Sequence, residues 1–355
     1  MLDELSKARE FSESVRYSGD TLRADDIERR DSNGLQSFFS LNSLLISPLV
    51  TPTISNSVNR VIDRLQIPQE SVKAYIYASS EIQAECYAGN DVDCIIRLSS
   101  GLIDILEIEE IEFVIGHELG HFLYQHGLAI ASKPSESLEF SIQKRAQELS
   151  ADRIGLLASK SLDVSIRAMM KTMSGLSTKY LKFDIGGFLS QLSNTENFKS
   201  QLDANSSHPS MLVRCRALLW FSMSDTFKSG GSNYPTGEVD KLNIQIEKDI
   251  DKYVDTMARN KINALKRDVS LWLAAKLIVE DGSFDKSEQE QFAKIFDQET
   301  LEKLKKFLSS FDADSAKKAV NENLESSRSN LYKEIPTSFE KEVGRIEKEV
   351  KLQFH

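Results

Sequence analysis

Three of the chain's five histidines fall within one short stretch, Ile111 to Gly127, which reads IEFVIGHELGHFLYQHG. His117, Glu118 and His121 form the pattern HExxH. On an α-helix, positions four apart lie one turn apart on the same face, so both imidazoles can point at a single ion. Glu118 projects about 100° around from His117, beside that ion rather than onto it. From there its carboxylate can take a proton from an activated water. Two histidine ligands and one adjacent glutamate are the smallest kit for zinc-assisted hydrolysis.

Two neutral imidazoles leave a catalytic zinc short of its third protein ligand. Downstream, Phe140 to Ala158 (FSIQKRAQELSADRIGLLA) carries Glu148 and Asp152, again four apart on a predicted helix. Glu148 completes a His₂Glu set with the fourth position open to water. The expected complement is one Zn2+ per chain on His117, His121 and Glu148. Asp152, one turn on, can accept the free ring N–H of a ligand histidine, most simply His117, which fixes that ring's tautomer. Without the HExxH upstream, both acids would read as a solvated helix face.

A third element begins at Asn205 (NSSHPSMLVRCRALLWF). Pro209 suits the first turn of a helix, and Ser206 or Ser207 can cap it. His208 then stands at a helix entrance, where it can donate a hydrogen bond to the oxyanion formed when water attacks a peptide carbonyl. Arg214 lies inside the same helix.

The elements that must position these groups are legible in part. Ile108, Ile111, Ile115, Leu119 and Phe122 recur at helical spacing through the HExxH segment. Gly116 and Gly120 each cost that helix about 1 kcal/mol relative to alanine, which points to close approach by a neighbouring element or a substrate. Gly127 is placed to stop the helix. Ser55 to Leu65 reads as an amphipathic helix, and Val72 to Ala78 and Val92 to Leu98 read as strands around a turn at Asn90 and Asp91. Within the second strand, Cys94, Ile95, Ile96, Arg97 and Leu98 are the candidates to pair with a substrate backbone. Gly186 and Gly187 mark a turn or mobile loop.

The chain has 355 residues, 40% of them hydrophobic, enough for two domains with real cores. The expected division is a polar arm over 1–45, a zinc-binding domain over 46–225, a Gly/Ser/Pro-rich linker over 226–240 and a charged helical domain over 241–355. The fold class is α+β and mostly helical, with a small sheet beside the HExxH helix and an all-α C-terminal part. A net charge of −10 with no basic stripe argues against nucleic acid as a partner. No stretch approaches the roughly 20 apolar residues of a membrane helix, and the charged N-terminus lacks a secretory signal's apolar core. Cys86, Cys94 and Cys215 are odd in number and unclustered, as expected of reduced thiols in a cytoplasmic protein.

With HELGH, ELSAD and SHPSMLVR in that order, residues 50 to 222 resemble the HtpX and CAAX-prenyl-endopeptidase family of gluzincin zinc metallopeptidases. The family's usual Asn-Ala pair before the metal helix stands here as Gln83–Ala84. The resemblance implies a gluzincin-type domain with His117, His121 and Glu148 on zinc, Glu118 as general base and acid, and Asp152 as partner to a ligand. It also implies that His208 and Arg214 stand near the transition-state oxygen. Near the C-terminus, AKLIVEDGSFDKSEQEQF is similar to TerB-like helical modules.

The resulting expectation is a zinc-dependent endopeptidase acting on peptides or unfolded protein, with a C-terminal helical domain whose partner is unspecified. The rival expectation is a zinc protein that binds peptides or partners through an occluded, latent or inactive site. A closed structural zinc site fits less well, because such sites use four protein ligands and three are evident.

Overall fold

The computed structural model describes residues 2–20, 35–88, 94–126, 137–194, 211–228, 238–250, 256–281 and 284–354. It divides into two compact units, one of Met1–Ala131 with Ile142–Val254 and the other of Ser132–Ser141 with Asp255–His355. The first holds α1 (Leu2–Glu13), α2 (Leu35–Asn42), α3 (Pro52–Arg64), α4 (Ser100–Ile105), α5 (Ile108–Leu123), most of α6 (Leu138–Ser159), α7 (Leu162–Ser174), α8 (Ile185–Asn194), α9 (Met211–Ser222), α10 (Asp225–Lys228) and α11 (Glu238–Ile250). It also holds strands β1 (Leu44–Leu45), β2 (Val72–Tyr77), β3 (Ala84–Ala88) and β4 (Cys94–Ser99). The second is helical: α12 (Thr256–Asp281), α13 (Lys286–Phe296), α14 (Gln298–Leu308), α15 (Ala313–Glu334) and α16 (Phe339–Phe354).

The four strands form one sheet in the order β1-β2-β4-β3, with β2 and β4 parallel and the outer pairs antiparallel. α5 packs against β3 and β4. Its Ile111, Ile115 and Leu119, the stripe read from spacing, join Val61 and Ile62 of α3, Ile96 and Leu98 of β4 and Ile154 of α6 in the main core. The first turn of α5 is closed by its own sequence, since the Glu107 backbone N–H donates to Glu110 Oε2 at 2.8 Å. α5 is tied to α3 by Arg60 and Arg64, which reach the buried Glu112 carboxylate at 2.7 and 2.5 Å.

Several expectations change. Over residues 5–15 the expected polar arm is not solvated: Leu5, Ala8, Ser12 and Val15 are buried. Their spacing makes one helical face of apolar and small residues, hidden in the sequence by the charges between them. Gly186 and Gly187 form the first turn of α8 rather than a loop, with the Gly187 N–H donating to Asp184 Oδ1 at 2.9 Å. The first unit extends past the predicted linker, because α11 packs on α9 and buries Ile246. α5 stops at Tyr124, before Gly127, with Gln125 taking the left-handed conformation at φ 58°. Gly127, Asn90, Asp91 and most of the predicted linker lie outside the described residues.

The second unit has its own core, in which Val269, Ile278, Phe292, Leu304, Val320 and Val343 are buried together. Three of its helices carry aspartate N-caps: Asp285, Asp297 and Asp312 accept backbone N–H groups of Glu288, Thr300 and Ser315.

Candidate metal centre

The site is built where α5 and α6 come nearly backbone to backbone. A Cβ on Gly120 would stand 2.9 Å from the Ala151 Cα, one on Gly155 would stand 2.9 Å from the Phe113 carbonyl oxygen, and one on Gly116 would collide with the Ala158 side chain. The glycines of the HExxH helix therefore admit a helix. This approach lets short side chains from α6 meet the α5 imidazoles.

His117 Nε2 and His121 Nε2 lie 3.1 Å apart. Glu148 Oε2 is 3.6 Å from the first and Glu148 Oε1 is 3.5 Å from the second. Tetrahedral zinc with Zn–N bonds of 2.0–2.1 Å needs ligand nitrogens about 3.3 Å apart, so this donor set fits the ion. Among the described residues these three side chains form the cluster of histidine and acid groups close enough to share one cation. His117 Nδ1 faces Asp152 Oδ1 at 3.0 Å. A carboxylate only accepts, so a proton shared across this contact would belong to His117 Nδ1 and leave its Nε2 a lone pair for a cation.

Arg214 on α9 grips Asp152 with two hydrogen bonds of 2.6 and 2.8 Å and lies 3.0 Å from Glu148 Oε2. Its guanidinium is thus committed to the two acids of α6. Burial alone would push the Asp152 carboxyl up, but the charge and hydrogen bonds of Arg214 and the hydrogen bond from His117 hold it below the usual range. The Arg214 guanidinium is in turn raised, as the charges of Asp152 and Glu148 outweigh its own burial. Glu118 moves the other way, since burial pushes it up against the pull of the two imidazoles, helped by Glu148 and Glu85. A carboxyl with a raised proton affinity is suited to accept and return a proton.

His117, Glu118, His121, Glu148 and Arg214 line a groove of about 520 Å³. Its walls are apolar at Ile82, Leu102, Val114 and Met211, and the chain entering β3 contributes Gln83 and Ala84. The stretch Cys94 to Leu98 cannot receive a substrate strand. It forms most of β4, which is paired with β2 on one side and β3 on the other, so its backbone groups are spent. Among the described residues the sheet edge beside the groove belongs to β3, which the sequence did not announce: AECYA mixes a charge, a thiol and two alanines. His208 lies outside the described residues. Reading by motif also missed His126, whose Nδ1 is 2.9 Å from His121 Nδ1. Its spacing of five from His121 was the available signal.

Residues 48–138 match the family model for Peptidase family M48. That range holds the HExxH and ends before Glu148. The chain is also similar to plastoglobule-localized metallopeptidase 48, chloroplastic, of Arabidopsis thaliana, with 25% identity over 161 residues, covering 38% of this chain and 47% of that protein. The chain thus spans about half the length of that curated relative. Among the described residues no helix is long and apolar enough to cross a membrane.

Proposed function

We propose that this protein is a zinc-dependent endopeptidase. The match to family M48 supports a metallopeptidase. The observation that carries the reading is the convergence of His117 Nε2, His121 Nε2 and the Glu148 carboxylate, within 3.1 to 3.6 Å of one another, on a groove that Glu118 also lines.

When bound, zinc supplies Lewis-acid activation of water and of the scissile carbonyl at neutral pH. His117, His121 and Glu148 would hold it. Glu118, half-buried and raised in proton affinity, takes the water's proton and returns it to the leaving amine. Asp152 keeps the His117 proton on Nδ1, and Arg214 holds Asp152 and neutralises the local excess of carboxylates. His208, with the oxyanion role read from its place at a helix entrance, belongs to the same proposal. Among the described residues β3 is paired on one side only, which suits it to align an extended peptide along the groove. The order HELGH, ELSAD, SHPSMLVR supports a place beside the HtpX and CAAX-prenyl endopeptidases. The TerB-like reading of the second unit rests on AKLIVEDGSFDKSEQEQF alone.

Glu118→Gln tests the mechanism. The variant should bind zinc as the parent does and lose at least about a hundredfold in hydrolysis of casein or a quenched peptide. Equal cleavage by parent and variant, or a parent that binds no zinc, overturns the proposal.

A further inference from the structure

We propose that His126 and Asp20 are positioning residues of the metal centre, holding His121 in the tautomer whose Nε2 is free to bind a cation. The inference rests on the zinc reading above and adds a dependence of that site on the N-terminal segment.

The geometry starts from how α5 ends. The His126 N–H donates to the His121 carbonyl at 2.9 Å and the Gln125 N–H to the Phe122 carbonyl at 3.0 Å, with Gln125 left-handed at φ 58°. These two bonds make a Schellman motif, which folds the second residue past the cap back over the third residue from the helix end. An apolar pair usually meets there. Here the pair is two imidazoles, with Nδ1 atoms 2.9 Å apart.

The other edge of the His126 ring meets a carboxylate. His126 Nε2 lies 2.8 Å from Asp20 Oδ2, a residue 106 positions away in sequence. Asp20 is further held by Gln143 Nε2 at 2.9 Å and by Arg16 at 3.2 Å. The Tyr124 ring stacks on His126 with centroids 5.3 Å apart, and its hydroxyl donates to the Ser12 carbonyl at 2.6 Å. α6 holds the same segment through Arg153, which donates to the Val15 carbonyl at 2.8 Å, and Ser150, which accepts the Tyr17 N–H at 3.2 Å.

Counting protons along this chain decides the tautomers. Asp20 is an acceptor, so His126 carries its proton on Nε2. A neutral imidazole has one N–H, and at 3% exposure the neutral form is the cheaper one, so His126 Nδ1 presents a lone pair. That lone pair needs a proton at 2.9 Å, which His121 Nδ1 supplies. His121 Nε2 is then bare, like His117 Nε2, whose proton Asp152 holds at the opposite edge. Two lone pairs 3.1 Å apart face the Glu148 oxygens with no proton between them, an arrangement that a cation reconciles. Asp20 does for His121, through one intervening ring, what Asp152 does for His117 directly.

Imidazole ¹⁵N shifts of the metal-free protein report the His121 tautomer, and chelator competition reports zinc affinity. The parent should show His121 protonated at Nδ1. Asp20→Asn and His126→Leu should shift His121 toward the Nε2–H form and weaken zinc binding by about tenfold to a hundredfold. His126→Gln can accept from His121 through its amide oxygen and donate to Asp20 through its amide nitrogen, so it should stay within about threefold of the parent. If Asp20→Asn and His126→Leu keep the parent's tautomer and affinity, or if His126→Gln is as weak as His126→Leu, the inference is overturned while the zinc reading stands. Should His126→Leu not fold, Asp20→Asn and His126→Gln decide the matter. A parent that takes up no zinc overturns both.

Discussion

Gly120 on α5 and Ala151 on α6 are in contact through their backbones, with 2.9 Å between the Ala151 Cα and the point where a Gly120 Cβ would stand. Real Cβ atoms do not approach that closely, so the spacing of these two helices is set by an absent side chain. The same spacing brings Glu148 and Asp152, which flank Ala151 on α6, to His117 and His121, which flank Gly120 on α5.

Gly120→Ala should therefore act on the site as well as on the fold. The added methyl group has no room, and overpacking of this kind costs about 1–3 kcal/mol. Although alanine favours the helix itself by about 1 kcal/mol, the midpoint of thermal unfolding should fall, and zinc affinity by chelator competition should fall with it. A variant more stable than the parent and equally tight for zinc would refute the account of the two glycines.

Glu110 and Lys171 form a fully buried ion pair, Nζ to Oε2 at 2.6 Å, which ties the start of α5 to α7. Lys171→Met should cost about 3 kcal/mol in chemical denaturation, because it strands a buried carboxylate whose other cation, Arg167, stands off at 3.5 Å. Adding Glu110→Gln should recover most of that loss, since the amide oxygen can still accept the Glu107 N–H. No recovery in the double variant would mean that the lysine acts through packing rather than charge.

Acid should weaken the fold through Asp20. Burial pushes this carboxyl up, but the hydrogen bond from His126 and the hydrogen bond and charge of Arg16 win and hold it at about 2, against 3.8 for a free aspartate. A carboxyl depressed on folding stabilises the protein above its unfolded value, and that contribution drains away as pH falls from 3.8 toward 2. It amounts to something on the order of 2 kcal/mol. Urea midpoints of parent and Asp20→Asn, compared at about pH 5 and about pH 2.5, should differ more at the higher pH. A gap between the two proteins that does not change with pH would show that Asp20 keeps its ordinary acidity.

Much of the chemistry was written locally. HExxH on one helix face, Glu148 and Asp152 one turn apart, and the stripe Ile111, Ile115, Leu119 all follow from a period of 3.6 acting inside a single element, which the order of residues alone determines. Even the two glycines announced a close neighbour, though not which one. What lies between elements was decided by packing. Arg214 was expected near a reacting oxygen; it lines the groove, and its clasp on Asp152 and Glu148 was decided when α9 brought the guanidinium to α6. The strand with its edge at the groove is β3 rather than β4, because strand order in a sheet is a matter of pairing that no alternation pattern encodes. Asp20 looked like one more charge on a wet arm. It lies on His126 because burying Leu5, Ala8 and Val15 draws the N-terminal segment onto the core, and a carboxylate's partner is fixed only once the chain around it has folded.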